Sequence, residues 1–130
     1  MDIKELANSY HAAGYNCAQS VLCACSEYTA LDEKTALAIS AGFGGGLRSG
    51  EICGAISGAV MALGIAFPFN DSSNTEAKDK IAELAKACLA ESKEKFGCLH
   101  CSELKGDKSK CPYYISEMAA LAEKMIKNNM

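Results

Sequence analysis

Tryptophan is absent from this chain of 130 residues, aromatics make up only 7% of it, and proline occurs twice. A core with so few large rings must be packed from small side chains. That suits closely apposed helices better than a sandwich, whose strands favour β-branched and aromatic residues. Two prolines and 11 glycines exclude collagen-like or linker-rich architectures, and a composition 49% hydrophobic and 22% charged excludes disorder. Excess positive charge is also lacking. At a net charge of -3 the chain supplies no broad field for non-specific nucleic-acid binding. The longest apolar run, Ile52 to Phe67, is interrupted by Gly54, Ser57, Gly58 and Gly64. It falls short of the roughly 20 residues that a helix needs to span a bilayer. The opening MDIKELANSY has no basic stretch followed by an apolar signal core, so the sequence reads as cytoplasmic. A chain of this length supports one self-sufficient core, and residues 1–130 are expected to form a single domain.

What is abundant is cysteine, with eight: Cys17, Cys23, Cys25, Cys53, Cys88, Cys98, Cys101 and Cys111. A secreted disulfide framework would call for an export signal and a shortage of apolar residues, and neither is present. The thiols are therefore expected to be reduced, with several binding metal or carrying redox chemistry.

The periodicity is helical almost throughout. Ile3, Leu6, Ala7 and Tyr10 mark a first helix closed by Gly14; Asn16 caps a second that runs to Thr29; and Asp32 caps a third that runs into Gly42. Gly42, Gly44, Gly45 and Gly46 open a loop that leads to Cys53. Cys53 to Phe67 is apolar on nearly every side and is expected to be a buried central helix. Its row of Gly54, Gly58 and Ala62 would admit another helix at close range. Thr75 to Phe96 is a long amphipathic helix stopped by Gly97, and Pro112 starts a last helix to about Lys127. The expected fold is all-α, a compact bundle of five to six helices around the glycine- and alanine-rich central one.

Cysteine also behaves as a small hydrophobe, and Cys23, Cys25 and Cys88 suit helix interiors. Cys17 and Cys53 differ because each begins a helix, where unpaired amides and the helix dipole favour a thiolate, nucleophile or metal ligand. Arg48 would add positive charge near Cys53. The glycine-rich loop lacks the GxxxxGK[ST] pattern of a phosphate cradle. Cys98 and Cys101 form a CxxC without the second pair of a zinc ribbon or the strand context of a thioredoxin-like site. His100 and His11 read as solvated loop and helix-face residues. Lys105, Lys108 and Lys110 read as a solvated run that would help keep nearby thiols ionised. Tyr113 and Tyr114 read as core anchors or as a shield over the site.

The string Cys53-Gly54-Ala55-Ile56-Ser57-Gly58 is a CGAxxG motif. Together with Gly14-Tyr15-Asn16-Cys17-Ala18, Phe96-Gly97 before Cys101, and a closing Cys111, it makes the chain resemble the redox-active family named C_GCAxxG_C_C over nearly its full length. That family has four invariant cysteines and is similar to part of a multihaem cytochrome that also holds an iron-sulfur centre. The resemblance implies that Cys17, Cys53, Cys101 and Cys111 are the functional set, with Cys98 a spare or alternate ligand. Covalent haem is not implied, because Cys101 is followed by Ser102 and completes no CxxCH motif. Four soft thiolates select an iron-sulfur cluster or zinc, and the cluster is the first expectation, with backbone amides of Gly44, Gly45 and Gly46 tuning it for electron transfer or redox sensing. A second reading is a metal-free thiol–disulfide relay, in which a low-pKa Cys53 attacks and Cys101 resolves, exchanging electrons with a redox partner. Structural zinc is a third. A non-redox reading leaves the cysteines as packing and Gly54, Gly58 and Ala62 as a homodimer seam or ligand wall.

Overall fold

The computed structural model describes residues 1–104 and 110–130. It is all-α: α1 Ile3–Ala12, α2 Cys17–Ala24, α3 Ser26–Thr29, α4 Glu33–Ser40, α5 Gly54–Ala66, α6 Thr75–Phe96, α7 Cys101–Leu104 and α8 Cys111–Asn128. Six of these are long helices, as the periodicity anticipates, and α3 and α7 are single turns. Local chemistry sets most of the ends. Asp2, Asp32 and Asn74 accept backbone N–H bonds from Glu5, Thr35 and Ala77 at 2.8, 3.0 and 3.0 Å. Gly97 ends α6 at φ 82°, in the left-handed region that a residue without a Cβ adopts freely.

One expected helix is divided. Where the periodicity predicts a single helix from Asn16 to Thr29, α2 stops at Ala24, Cys25 leaves the helical conformation, and α3 adds one turn. Cys25 is fully buried in the core, so tertiary packing overrides a local pattern that carries no glycine or proline breaker. The Lys105 and Lys108 part of the lysine run lies outside the described residues; Lys110 is exposed.

The centre of the molecule is α5, which packs against α2, α6 and α8, while α1 lies across α2 and α8. Gly54 and Gly58 face α2. A Cβ on Gly58 would come within 2.7 Å of the Ala18 carbonyl oxygen, closer than real Cβ atoms approach a neighbour, and within a tight 3.1 Å of the Val21 Cβ. The row of small residues is therefore spent inside the chain. Gly54 and Gly58, read also as part of a homodimer seam, pack against α2 and the turn before α5 in this chain, and Ala62 is buried.

Between α4 and α5 the chain makes a short 3-10 turn, Ala41–Phe43, and then a turn of unusual hand. Gly45, Gly46, Leu47 and Arg48 are successive residues at φ 65°, 63°, 60° and 60°. The left-handed conformation costs a residue with a side chain roughly 1–2 kcal/mol. Arg48 is exposed, so Arg48→Gly loses little packing and should stabilise the protein by about 1 kcal/mol. A lower urea midpoint in this variant would show that the Arg48 side chain contributes more than the strain costs.

Among the described residues no helix is long and apolar enough to cross a membrane.

Candidate functional site

The site is built where two helix starts meet. Asn16 caps α2: its side-chain oxygen accepts from the Gln19 N–H at 2.9 Å, and its own N–H donates to the Gln19 side chain at 3.0 Å. The remaining donors of this capping box reach outward. Asn16 Nδ2 donates to the Ala41 carbonyl at 3.0 Å and Gln19 Nε2 to the Leu37 carbonyl at 3.1 Å, so the start of α2 is pinned to α4 and the turn that follows it. Cys17 is the first residue of α2, and its orientation is fixed by these bonds.

Cys53 is the N-cap of α5 and is held from the other side. Its backbone N–H donates to the Leu99 carbonyl at 2.8 Å, and the Cys101 N–H donates to the Glu51 carbonyl at 2.6 Å. Ile52 and His100 form the antiparallel bridge between these bonds. This miniature ribbon ties the approach to α5 to the approach to α7, and its register puts Cys53 opposite Leu99 and Cys101 opposite Glu51. Cys53 and Cys101 are thus diagonal neighbours across the ribbon.

Cys17 and Cys53 meet. Their side chains lie within hydrogen-bonding range of each other, and the Cys17 sulfur sits directly over Gly54, where a Cβ would stand only 2.5 Å from it. Both are nearly closed off from solvent, with exposures of 9% and 5%. The Cys53 thiol is pushed far above the ordinary range, first by its interaction with Cys17 and then by burial. The amides of Ala55 and Ile56 act in the opposite sense without closing a side-chain cap bond. The expected low pKa at Cys53 is therefore overturned: the helix start does favour the anion, but the neighbouring thiol and the loss of water outweigh it. Arg48 is exposed and is not among the groups that act on Cys53.

The other expected members are distributed around this pair. Cys101 is buried at 2% exposure with its Cβ against Gly46, and Gly44 lies against the Asn16 side chain. Two of the three glycines proposed to line a cofactor thus serve close backbone approach, Gly44 beside the α2 cap and Gly46 beside Cys101. Gly45 supplies the first left-handed residue of the turn. Cys98 and Cys111 are half-buried. Tyr114 is buried and Tyr113 partly exposed, and both rings stack edgewise on Phe96, at 4.9 and 5.8 Å between centroids, so both are anchors at the start of α8. His11 holds the Tyr15 carbonyl through Nδ1 at 3.1 Å, and His100 lies 4.0 Å from Glu51. Cys23, Cys25 and Cys88 belong to the core, where burial pushes their thiols up to about 11, 12 and 11.

An iron-sulfur cluster or a structural zinc needs three or four ligands around one point. Among the described residues no three His, Cys, Asp or Glu side chains gather in that way. The donor chemistry of the cysteines is right for such a group, and among the described residues Cys17 and Cys53 are a pair that the fold brings together.

No curated protein and no solved structure gives a significant match to the chain. A family model does, over residues 15–125, a span that starts just before Cys17, includes the CGAxxG segment and Cys101, and extends past Cys111. The pairing of Cys17 with the Cys53 that opens that segment accords with it: the chain belongs to the family described as "Putative redox-active protein (C_GCAxxG_C_C)".

Proposed function

We propose that this protein is a thiol redox protein whose working couple is Cys17 and Cys53, cycling between a dithiol and an intramolecular disulfide. The observation that carries the reading is the approach of these two thiols at the meeting of the α2 and α5 starts. The partner is a molecule bearing a disulfide. A thiolate of the pair attacks one partner sulfur and the other partner sulfur leaves; the second cysteine then attacks the mixed disulfide. The two cysteines lose two electrons and two protons, and the partner disulfide becomes two thiols. Because Cys53 is strongly protonated and shielded, exchange is slow at rest and is controlled by access to the pair.

The cluster is the second reading, supported by a third buried cysteine, Cys101, on the ribbon that carries Cys53. Both readings meet in one experiment. Protein purified without oxygen is analysed for iron, zinc and acid-labile sulfide, then exposed to a disulfide oxidant and mapped by peptide mass spectrometry. The dithiol reading expects metal-free protein and a Cys17–Cys53 linkage. Stoichiometric iron and sulfide, with loss of both in Cys17→Ser and Cys53→Ser, would replace it by the cluster; a first linkage between other cysteines would sink it outright.

A further inference from the structure

A second thiol chemistry lies on the surface, apart from the buried pair. Where α6 ends, the chain forms a cleft of about 260 Å³ lined by Lys93, Gly97, Cys98, Leu99, His100 and Glu103. Unlike Cys17 and Cys53, Cys98 is partly open to solvent. Around it stand groups of both signs. The Glu103 carboxylate faces the thiol at hydrogen-bonding range, His100 is drawn toward Glu51, and Lys93 has no ion-pair partner among the described residues, whereas Lys95 two positions on is paired with Glu117 at 3.3 Å. Cys98, Lys93 and Glu103 thus line one open cavity, which is just below the size of ordinary small-molecule sites.

We propose that this cleft is a mixed-disulfide site: Cys98 exchanges with small disulfides that carry carboxylate and amino groups, with Lys93 receiving the carboxylate. The Cys98 thiolate attacks one sulfur of the incoming disulfide and a new S–S bond forms to that half. The old S–S bond breaks, and the other half leaves with its electron pair as a thiolate, taking up the proton that Cys98 gave away. Cys98 is oxidised, the leaving half is reduced, and no further oxidant is needed. The selectivity of the modification comes from recognition in the cleft. The site goes beyond the buried couple and does not require it.

The test uses the full-length reduced protein and two probes, oxidised glutathione, which bears carboxylates and amines, and hydroxyethyl disulfide, which bears neither. The first adduct is expected on Cys98, mapped by peptide mass, and glutathione disulfide should react several-fold faster than the neutral probe after each rate is divided by its rate with a free model thiol. Lys93→Gln should remove that preference and leave the neutral probe's rate unchanged. Cys98→Ser should lose the first adduct with an unaltered circular dichroism spectrum, and Cys17→Ser should retain it, which separates this site from the buried pair. A first adduct at Cys111 or any other cysteine, or equal normalised rates for the two probes, would overturn the proposal.

Discussion

Gly54→Ala should both destabilise the protein and disable its thiol couple, whereas Gly58→Ala should do only the first. At Gly54 the added methyl would lie 2.5 Å from the Cys17 sulfur and 2.9 Å from the Phe43 carbonyl oxygen; at Gly58 it would lie 2.7 Å from the Ala18 carbonyl oxygen. Backbone oxygens cannot rotate away, so Gly54→Ala must shift the start of α5 from the Ala41–Phe43 turn and displace the Cys17 side chain, whereas Gly58→Ala must shift α5 from α2 at Ala18. Overpacking of this kind costs about 1–3 kcal/mol. It exceeds the gain of roughly 1 kcal/mol that alanine brings to a helix interior. The two sites differ in what is displaced. Gly54→Ala pushes on the Cys17 thiol itself, while Gly58 lies one helical turn further along α5 and leaves the Cys17–Cys53 contact in place. Urea midpoints should therefore fall in both variants, and the rate of Cys17–Cys53 linkage should fall further in Gly54→Ala. Equal linkage rates in the two variants would mean that Gly54 serves packing alone.

The contrast also marks how far the sequence is legible. The caps at Asn16 and Asp32, the stop at Gly97 and the amphipathic stripe of α6 are local signals, and each element follows from residues within a few positions of it. The row of Gly54 and Gly58 announces a close helix contact, but its partner is set by the whole bundle and cannot be read from α5. The same holds for the site. Both Cys17 and Cys53 are recognisable as helix-start cysteines, yet their adjacency depends on α2 lying against Gly54 and on the ribbon from Glu51 to Cys53 pairing with Leu99 to Cys101. That ribbon joins segments far apart in the chain, and nothing in its composition marks it as extended. The left-handed turn is equally hidden, because Leu47 and Arg48 are side-chain-bearing residues in a conformation that sequence reasoning assigns to glycine. The electrostatics reverse an expectation for a comparable reason: the amides at a helix start are local, whereas the burial that outweighs them is a property of the assembled core.

Reduction of the oxidised protein should lower its thermal stability by a wide margin. A link from Cys17 to Cys53 closes a loop spanning α2, α4 and the left-handed turn, and constraining the unfolded chain over that length is worth about 3–4 kcal/mol. For a domain of this size that is a shift in Tm of about 10 °C. Cys53→Ser should abolish the shift, and its melting temperature should be the same with and without reductant. Two of the eight thiols should disappear on oxidation of the parent protein, counted after denaturation, and this loss should be absent in Cys53→Ser. The reduced form carries a pH signature of its own. Cys53, Cys23, Cys25 and Cys88 all have thiols pushed upward in the folded state, so the unfolded chain loses those protons first as pH rises. Stability of the reduced protein is then fully present at neutral pH and declines above the ordinary thiol value of about 8.5. Oxidation removes the contribution of Cys53 and leaves that of the three core thiols, so the alkaline decline should be shallower in the oxidised protein. Identical alkaline limbs in the two forms, or a Tm indifferent to reductant, would show that Cys17 and Cys53 are neighbours without being a redox couple.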